Sequence, residues 1–511
     1  MREHLAAYFE SHRKLVEAGA LQRILDTAQP LDLSRRLIEA AGPSSPIVTL
    51  EMVESALRRE HGGAVSVPPP GLRPTGGPPP AAGPPGTGPT SATAHPPPSF
   101  TLLAEGFIEP ASTRPPLEAY EGLFASRYRA LARMLRGRPE LTGAVPVAEL
   151  KRAERETAII GMVGEVRQTA EKHHLILTVE DESGSVEVLV PRDSPAARQT
   201  YLPDEVVGLT LQLGRERARL PRVVSVHRPE IPVSRALGRA PRPTRALFLS
   251  DLHIGSRSFL TDAWGELIGF LRGEGPREGI ARSIGHVVVA GDLVDGIGIY
   301  PNQERDLAIG DVFEQYAELA RRLAELPPHL NVVVLPGNHD AVCPAEPQPA
   351  LPAELARGLP PNVRAVGNPA TFALDGVIVE AYHGRSFDDL IPALPGLTYA
   401  RPTEVMKRML AMRHLAPIYG GRTPLAPLAR DGLVVDPAPD ILVTGHAHTY
   451  GIDQYRGILL LNASTWQAET EYQRMRNISP VPAHAAVVAL NDLSVETLDF
   501  EDGAPANGAA S

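Results

Sequence analysis

The sequence predicts a multi-domain α+β protein, with a small N-terminal helical bundle, a disordered Pro-rich linker, a five-stranded β-barrel and a larger C-terminal α/β domain that carries the chemistry. Three observations lead there. The chain has 511 residues, more than a single hydrophobic core organises, since domains run to roughly 100 to 200 residues. Its apolar residues change period along the chain, from helical spacing to short alternating runs and then to buried runs. After residue 245, five of those buried runs end in Asp, Asn or His.

Residues 1–62 carry apolar side chains at helical spacing, among them Leu5, Tyr8, Phe9, Leu21, Ile24, Leu25, Leu33, Leu37, Val53 and Leu57. They hold no recognisable chemistry, so the expectation is a helical docking domain. Residues 63–99 hold 13 prolines between Pro68 and Pro98 among Gly, Ala, Ser and Thr. That composition cannot bury enough apolar surface to fold, and it reads as a linker between domains.

Residues 100–150 are expected to form a helical connector. Tyr120, Leu123, Phe124, Tyr128, Leu131 and Leu135 share a helical face, with Arg127, Arg129, Arg133, Arg136 and Arg138 on the remaining, solvated side. Within residues 151–235 the runs 158–166, 174–181, 184–190, 206–211 and 222–226 read as strands, with a tight turn at Glu182-Ser183-Gly184. Five short strands in that span predict an OB-type β-barrel. None of those runs contains Phe, Tyr or Trp, the residues that stack bases, so a docking barrel is as well supported as a single-strand binder.

The C-terminal domain is expected over residues 240–500. Its strands lead into Asp251-Leu252-His253, Gly291-Asp292, Asn338-His339-Asp340, His383-Gly384 and Gly445-His446-Ala447-His448. A single His after a strand is more often a satisfied surface or core residue than a ligand. Five strand ends of the same kind point to a shared centre, as open α/β sheets bind ligands beyond the carboxyl ends of their strands. In an extended backbone, Asp-x-His and His-x-His place both side chains on one side, within reach of one ion.

Cys343 is the only cysteine, so thiolate clusters and intrachain disulfides are excluded. The Asp, Asn and His set suits divalent manganese, iron or zinc better than calcium, with magnesium an alternative, and the number of donors fits two ions. Such a pair can clamp a phosphoryl group and activate water. The net charge of −10 argues against coating nucleic acid by bulk electrostatics; ions in a cleft would supply local positive charge instead. Neither a signal peptide nor a membrane span is expected, which places the protein in the cytoplasm.

These motifs resemble the calcineurin-like metallophosphoesterases, whose αββα domain presents Asp-x-His, Gly-Asp, Gly-Asn-His, a later His and Gly-His-x-His in this order. The resemblance implies that Asp251, His253, Asp292 and His448 hold one metal, and that Asp292, Asn338, His383 and His446 hold the other. It also implies that His339 is the general acid and that Asp340 orients it, while Asp295 is either a supporting residue or a turn residue. The wider layout, with Tyr450-Gly451-Ile452, Tyr455-Arg456-Gly457, residues 461–467, Thr470 and Tyr472-Gln473, is similar to the small subunits of archaeal family-D DNA polymerases. Ala463-Ser464 departs from that pattern, in which a glycine precedes Thr465.

This resemblance implies a 3′-5′ exonuclease that proofreads single-stranded or mismatched DNA ends and assembles with a large catalytic polymerase subunit, the barrel being the expected contact. Two rivals remain at this level. A phosphomonoesterase or protein phosphatase usually carries Arg-Gly after the second Asp of Gly-Asp-x-Val-Asp, where this chain has Gly296-Ile297. A non-catalytic scaffold would tolerate lost ligands, and here every ligand position is filled. Residues 501–511, small and polar, read as a disordered tail.

Overall fold

A computed structural model of the chain describes residues 98–107, 117–152, 156–214, 220–475 and 479–500, with short pieces between residues 15 and 57. Most of the helical bundle expected over 1–62, the linker up to residue 97 and the tail over 501–511 lie outside the described residues. Two compact units divide at Pro97/Pro98. In the first, residues 23–25 and 33–35 are helical, and Ile24, Leu33, Leu37 and Val53 are buried. Leu15–Val16 also pairs in parallel with Ile47–Val48, a short strand pair where helix alone was expected.

In the second unit, strands Glu156–Gln168, Leu175–Asp181, Gly184–Val190, Val206–Gln212 and Arg222–His227 close into a barrel. The first strand is long enough to pair along its length with two neighbours, Val206–Gln212 early and Leu175–Asp181 late, with a register shift between Val163 and Val166. At the bend, a Cβ on Gly161 would collide with Val179 and press on the Glu180 carbonyl, which is why glycine stands there. Alternate residues fill the interior, including Ile159, Val163, Leu177, Val179, Val188, Val190, Val207, Leu209 and Leu211. Each such side chain contributes about 1.5 to 3 kcal/mol by leaving water.

Helix Leu117–Arg136 lies against the barrel, packing Tyr128, Leu131, Ala132 and Leu135 on Ile160, Met162 and Val206. One expectation needs correction. Arg127, placed with the solvated arginines by its charge, is fully buried and pairs with Asp431 at 2.6 Å. Its Nη1 reaches the carbonyls of Pro417 at 2.6 Å and Asp204 at 3.4 Å. A buried guanidinium persists only when paired and hydrogen-bonded, and its charge partner lies 304 residues away in sequence, where no local pattern reveals it.

The remainder builds two six-stranded sheets. In one, the parallel strands Arg245–Leu249, Ile284–Ala290, Asn331–Leu335 and Val363–Ala365 are followed at the other edge by His484–Ala489 and Val495–Asp499. The second runs in the order Tyr450–Tyr455, Ile458–Ala463, Ile441–Thr444, Val377–Ala381, Ala370–Leu374 and Phe100–Glu105. Phe248, Val288 and Val333 of the first meet Phe372, Val379, Val443 and Leu461 of the second in one core. Helices Thr261–Leu271 and Val312–Leu323 cover the outer face of the first sheet, and Phe387–Ala393 and Pro402–Met412 that of the second. Strands covered on both faces are apolar almost throughout, as the runs of valine in the sequence require.

Phe100–Glu105 is a second correction. This stretch, expected to open a helical connector, is an edge strand antiparallel to Ala370–Leu374, with Phe100 and Leu102 packed on the core between the sheets. Leu103 interrupts its alternation, so this six-residue run does not stand out as a strand after a proline-rich stretch. No helix among the described residues is long and apolar enough to cross a membrane.

Candidate metal centre

The sheets bring the predicted ligands to one edge. Asp251, His253 and His448 form one cluster and Asp292, His383 and His446 another, each with donor atoms within 4.8 Å of one another. His448 Nε2 is 3.2 Å from Asp251 Oδ1, and His253 Nε2 lies 3.8 Å from Asp251 Oδ1 and 3.7 Å from Asp292 Oδ2. On the other side, His383 Nε2 is 3.3 Å from Asp292 Oδ2 and 3.1 Å from Asn338 Oδ1. Asp292 therefore stands between the two groups.

The local backbone differs from the extended form expected. Asp251, His253, Asp292, His446 and His448 all have left-handed φ, between 48° and 65°. Alternation of left-handed residues, rather than the two-residue period of a strand, turns each pair inward. Such residues cost of order 1 to 3 kcal/mol each and persist where surroundings hold them. Here Asp251 N donates to the Gly291 carbonyl and His253 N to the Asp292 carbonyl, both at 3.0 Å, lacing the first two loops together. The glycines of the motifs make room: a Cβ on Gly445 would collide with Ser250 Oγ and the Asp251 carboxylate, and one on Gly337 with Asp292.

The electrostatics fit a cation site. Asp251 and Asp292 are buried and, among the described residues, their ion-pair partners are all imidazoles. Burial alone would raise the Asp251 carboxyl, but His448 and His253 hold it well below the usual carboxylate range. Burial pulls the His253 imidazole down, yet the nearby Asp251 carboxylate, the hydrogen bond to Asp295 and the charge of Asp292 raise it to about 10. His383 is likewise pulled down by burial and raised to about 9, chiefly by Asp292. The carboxylates thus draw protons onto His253 and His383, while burial holds His448 and His339 low; divalent ions would take over that charge balance, and the oxygen and imidazole donors suit borderline ions.

Comparison with known proteins covers up to about three quarters of the chain. Residues 246–452 match the family model that describes the B-type subunit of DNA polymerases alpha and epsilon. The DNA polymerase II small subunit of Archaeoglobus fulgidus is 43% identical over 367 residues, covering 71% of this chain and 73% of that protein. Its counterpart in Methanothermobacter thermautotrophicus is 40% identical, covering 74% of this chain and 78% of its own. The chain belongs to the DNA polymerase II small subunit family. In Thermoplasma acidophilum the small subunit is 35% identical over 75% of this chain and 78% of its own.

In this small subunit the residues predicted as the catalytic pair separate. His339 sits at the mouth, half-buried, with Nε2 4.0 Å from Asp292 Oδ2. Its Nδ1 is 2.8 Å from the main-chain carbonyl of Asp295, and that carbonyl, rather than Asp340, orients the ring. Asp340 accepts instead from Gly337 N at 2.8 Å, Leu293 N at 3.1 Å and Tyr316 Oη at 2.8 Å. Its Oδ2 staples the Gly-Asn-His loop to the Gly-Asp loop and its Oδ1 is held by Tyr316 of helix Val312–Leu323, so both oxygens are spent away from the His339 ring. Burial, then the charge of Asp292, pushes its carboxyl up to about 7.

Several residues beyond the predicted ligands complete the small subunit's centre. Asp295 Oδ1 is 3.0 Å from His253 Nδ1, and Gln467 and Gln303 each donate to that carboxylate at 3.0 Å. A carboxylate on the far nitrogen fixes the tautomer and leaves Nε2 facing the cluster. The Ala290 carbonyl does the same for His383 Nδ1 at 3.0 Å, while the Gln473 amide nitrogen lies 2.7 Å from His448 Nδ1. His446 Nε2 pairs with Asp388 at 3.2 Å. Asp388 had no signal beyond standing five residues after His383. Gln467 and Gln473 lay in stretches that carried the family resemblance without showing what they touch. Ser464, where a glycine was expected, adopts φ 66°, and its amide donates to the Thr449 carbonyl at 3.1 Å, so the departure stays in the turn.

Proposed function

We propose that this polymerase small subunit is a dinuclear metal-dependent phosphodiesterase, a 3′-5′ exonuclease on single-stranded or mismatched DNA ends, and that it assembles with a large catalytic subunit. The observation that carries this reading is the convergence of Asp251, His253, Asp292, Asn338, His383, His446 and His448 from separate strand ends, with Asp292 shared and His339 beside it. Asp251, His253, Asp292 and His448 would hold one ion and Asp292, Asn338, His383 and His446 the other. Manganese is the first choice, with iron, zinc or magnesium as alternatives. When bound, two such ions polarise the phosphoryl oxygens and lower the pKa of water.

The protein's own groups do the rest. His339 keeps its Nδ1 on the Asp295 carbonyl, which leaves Nε2 toward the centre to give a proton to the departing 3′ oxygen. Desolvation, the largest influence, holds its imidazole below the ordinary range, so the protonated ring is a strong donor. Asp295 and the Ala290 carbonyl keep the Nε2 atoms of His253 and His383 available to ions. We assign residues 151–235 to an OB-type fold that contacts the large subunit, and residues 1–62 to docking. Two surface arginines of helix Leu117–Arg136 are neutralised within the chain: Arg129 pairs with Glu182 and Arg133 with Asp436.

The test uses the full chain with manganese on 3′-labelled and 5′-labelled single-stranded DNA and on p-nitrophenyl phosphate. Shortening from the 3′ end with little release of p-nitrophenol is expected. Rapid hydrolysis of p-nitrophenyl phosphate with intact DNA would make the centre a monoesterase. Inertness on both, with capture of a large polymerase subunit, would leave only a scaffold.

A further inference from the structure

Beside the candidate acid the chain builds a loop that offers apolar side chains to solvent. It runs from Asp295 to Gln303 through Gly296-Ile297-Gly298-Ile299-Tyr300. Ile297 is 48% exposed and Ile299 39%, while Gln303 and Gln315, which hold the loop, are 1% and 0% exposed. Gly296 N donates to Gln315 Oε1 at 2.9 Å, and Gln315 Nε2 donates back to the Gly296 carbonyl at 3.1 Å. Ile299 N donates to Gln303 Oε1 at 2.9 Å, and Gln303 Nε2 donates to the Asp295 carbonyl at 2.8 Å. That carbonyl is also the one that orients His339.

The loop is thus pinned at both ends by buried amides, and its position is fixed relative to the proton donor. Gly296 is packed so closely on the His339 carbonyl that a Cβ there would collide with it, and Ile299 Cδ1 would be 3.2 Å from the same Cβ. Gly298, at φ 76°, faces open space at the tip. Single exposed apolar residues are ordinary. Two isoleucines held out on a pinned loop, next to the group that would meet the leaving oxygen, are a placed surface.

We propose that Ile297 and Ile299 form an apolar lip that takes the terminal bases of a single-stranded DNA end and holds them unstacked beside His339. Aliphatic side chains are used in this way as wedges between bases, where unstacking costs a few kcal/mol per step and apolar contact offsets it. The barrel strands contain no Phe, Tyr or Trp to stack bases, so the lip supplies the base contact that they do not. Such a lip would favour frayed or mismatched ends, whose bases are already partly unstacked. It rests on the nuclease reading above.

The experiment uses the full chain with manganese, comparing wild type, Ile297→Ser/Ile299→Ser and Ile297→Leu/Ile299→Leu. Substrates are single-stranded DNA with 2-aminopurine at the 3′ terminus and methyl p-nitrophenyl phosphate, a diester without a base. The serine variant is expected to raise KM for DNA about tenfold, to lose most of the 2-aminopurine fluorescence rise on binding, and to cleave the small diester at the wild-type rate. Leucine is expected to restore DNA turnover. Unchanged KM and fluorescence in the serine variant would overturn the lip while leaving the nuclease reading intact, as would equal losses on DNA and the small diester that leucine does not rescue. Wild-type protein that cleaves neither substrate would sink the nuclease reading and the lip with it.

Discussion

The barrel and the strand-end centre are both made from short apolar strands, yet they use polar groups in opposite ways. In the barrel, charged pairs such as Arg129–Glu182 and Arg167–Glu187 stay at the surface, and the interior is aliphatic. At the centre, Asp251, Asp292, Asp295, His253 and His383 are buried together, and five of the candidate ligands take left-handed backbone conformations. A fold does not gather buried charge and backbone strain in one place for stability, since both oppose it. The barrel region has left-handed φ at His173 and Asp204 and a largely buried charge pair, Arg228–Glu205, so the strand-end centre stands apart by how many such features it gathers. Arg127 joins the two regions, because its guanidinium touches the barrel turn at Asp204 and Asp431 of the larger domain.

This contrast can be broken by substitution. Asp292→Asn removes the carboxylate that stands between the two clusters, and DNA hydrolysis is expected to fall on the order of 10³-fold with loss of bound metal, read by turnover and metal analysis. Arg127→Ala removes the guanidinium from the buried Asp431 at the joint and leaves that carboxylate to His414 and the Leu433 amide. Unfolding in denaturant is expected to show a loss of about 3 to 5 kcal/mol. Asp295→Asn keeps the shape but removes the charge behind His253, and apparent metal affinity is expected to weaken about 10- to 100-fold, measured by metal titration.

Glu380 tests burial away from the centre. It lies buried on strand Val377–Ala381, bonded to Thr371 Oγ1 at 2.6 Å, and desolvation raises its carboxyl to about 7. A folded pKa above the unfolded one gives stability that is fully present below about pH 4.5 and is lost as pH rises through 7. Glu380→Gln is therefore expected to stabilise the fold by about 2 kcal/mol at pH 8 and hardly at all at pH 5, seen in melts at the two pH values. The smallest effect belongs to the barrel surface: Arg129→Ala is expected to change stability by no more than about 0.5 kcal/mol.

Much of this was legible in the sequence because it depends on local pattern. Buried strands between covered faces must be apolar, so runs such as Val287-Val288-Val289 and Val332-Val333-Val334 announced themselves, and the Asp, Asn and His after them had to lie at one edge. Arg127 was misplaced because its partners are distant in the chain, and the strand at Phe100 was missed because it borrows its partner from Ala370–Leu374. The division of labour between Asp295 and Asp340 was also hidden. Both follow a ligand motif, and only tertiary packing decides that one carboxylate faces an imidazole while the other caps backbone amides.

The most direct test of a nuclease centre with His339 as proton donor is His339→Ala, measured for metal content and DNA hydrolysis in the same preparation. Both ions are expected to remain bound while cleavage of 3′-labelled single-stranded DNA falls about 10²- to 10⁴-fold. A variant that keeps its metals and degrades DNA at the wild-type rate would contradict the assignment.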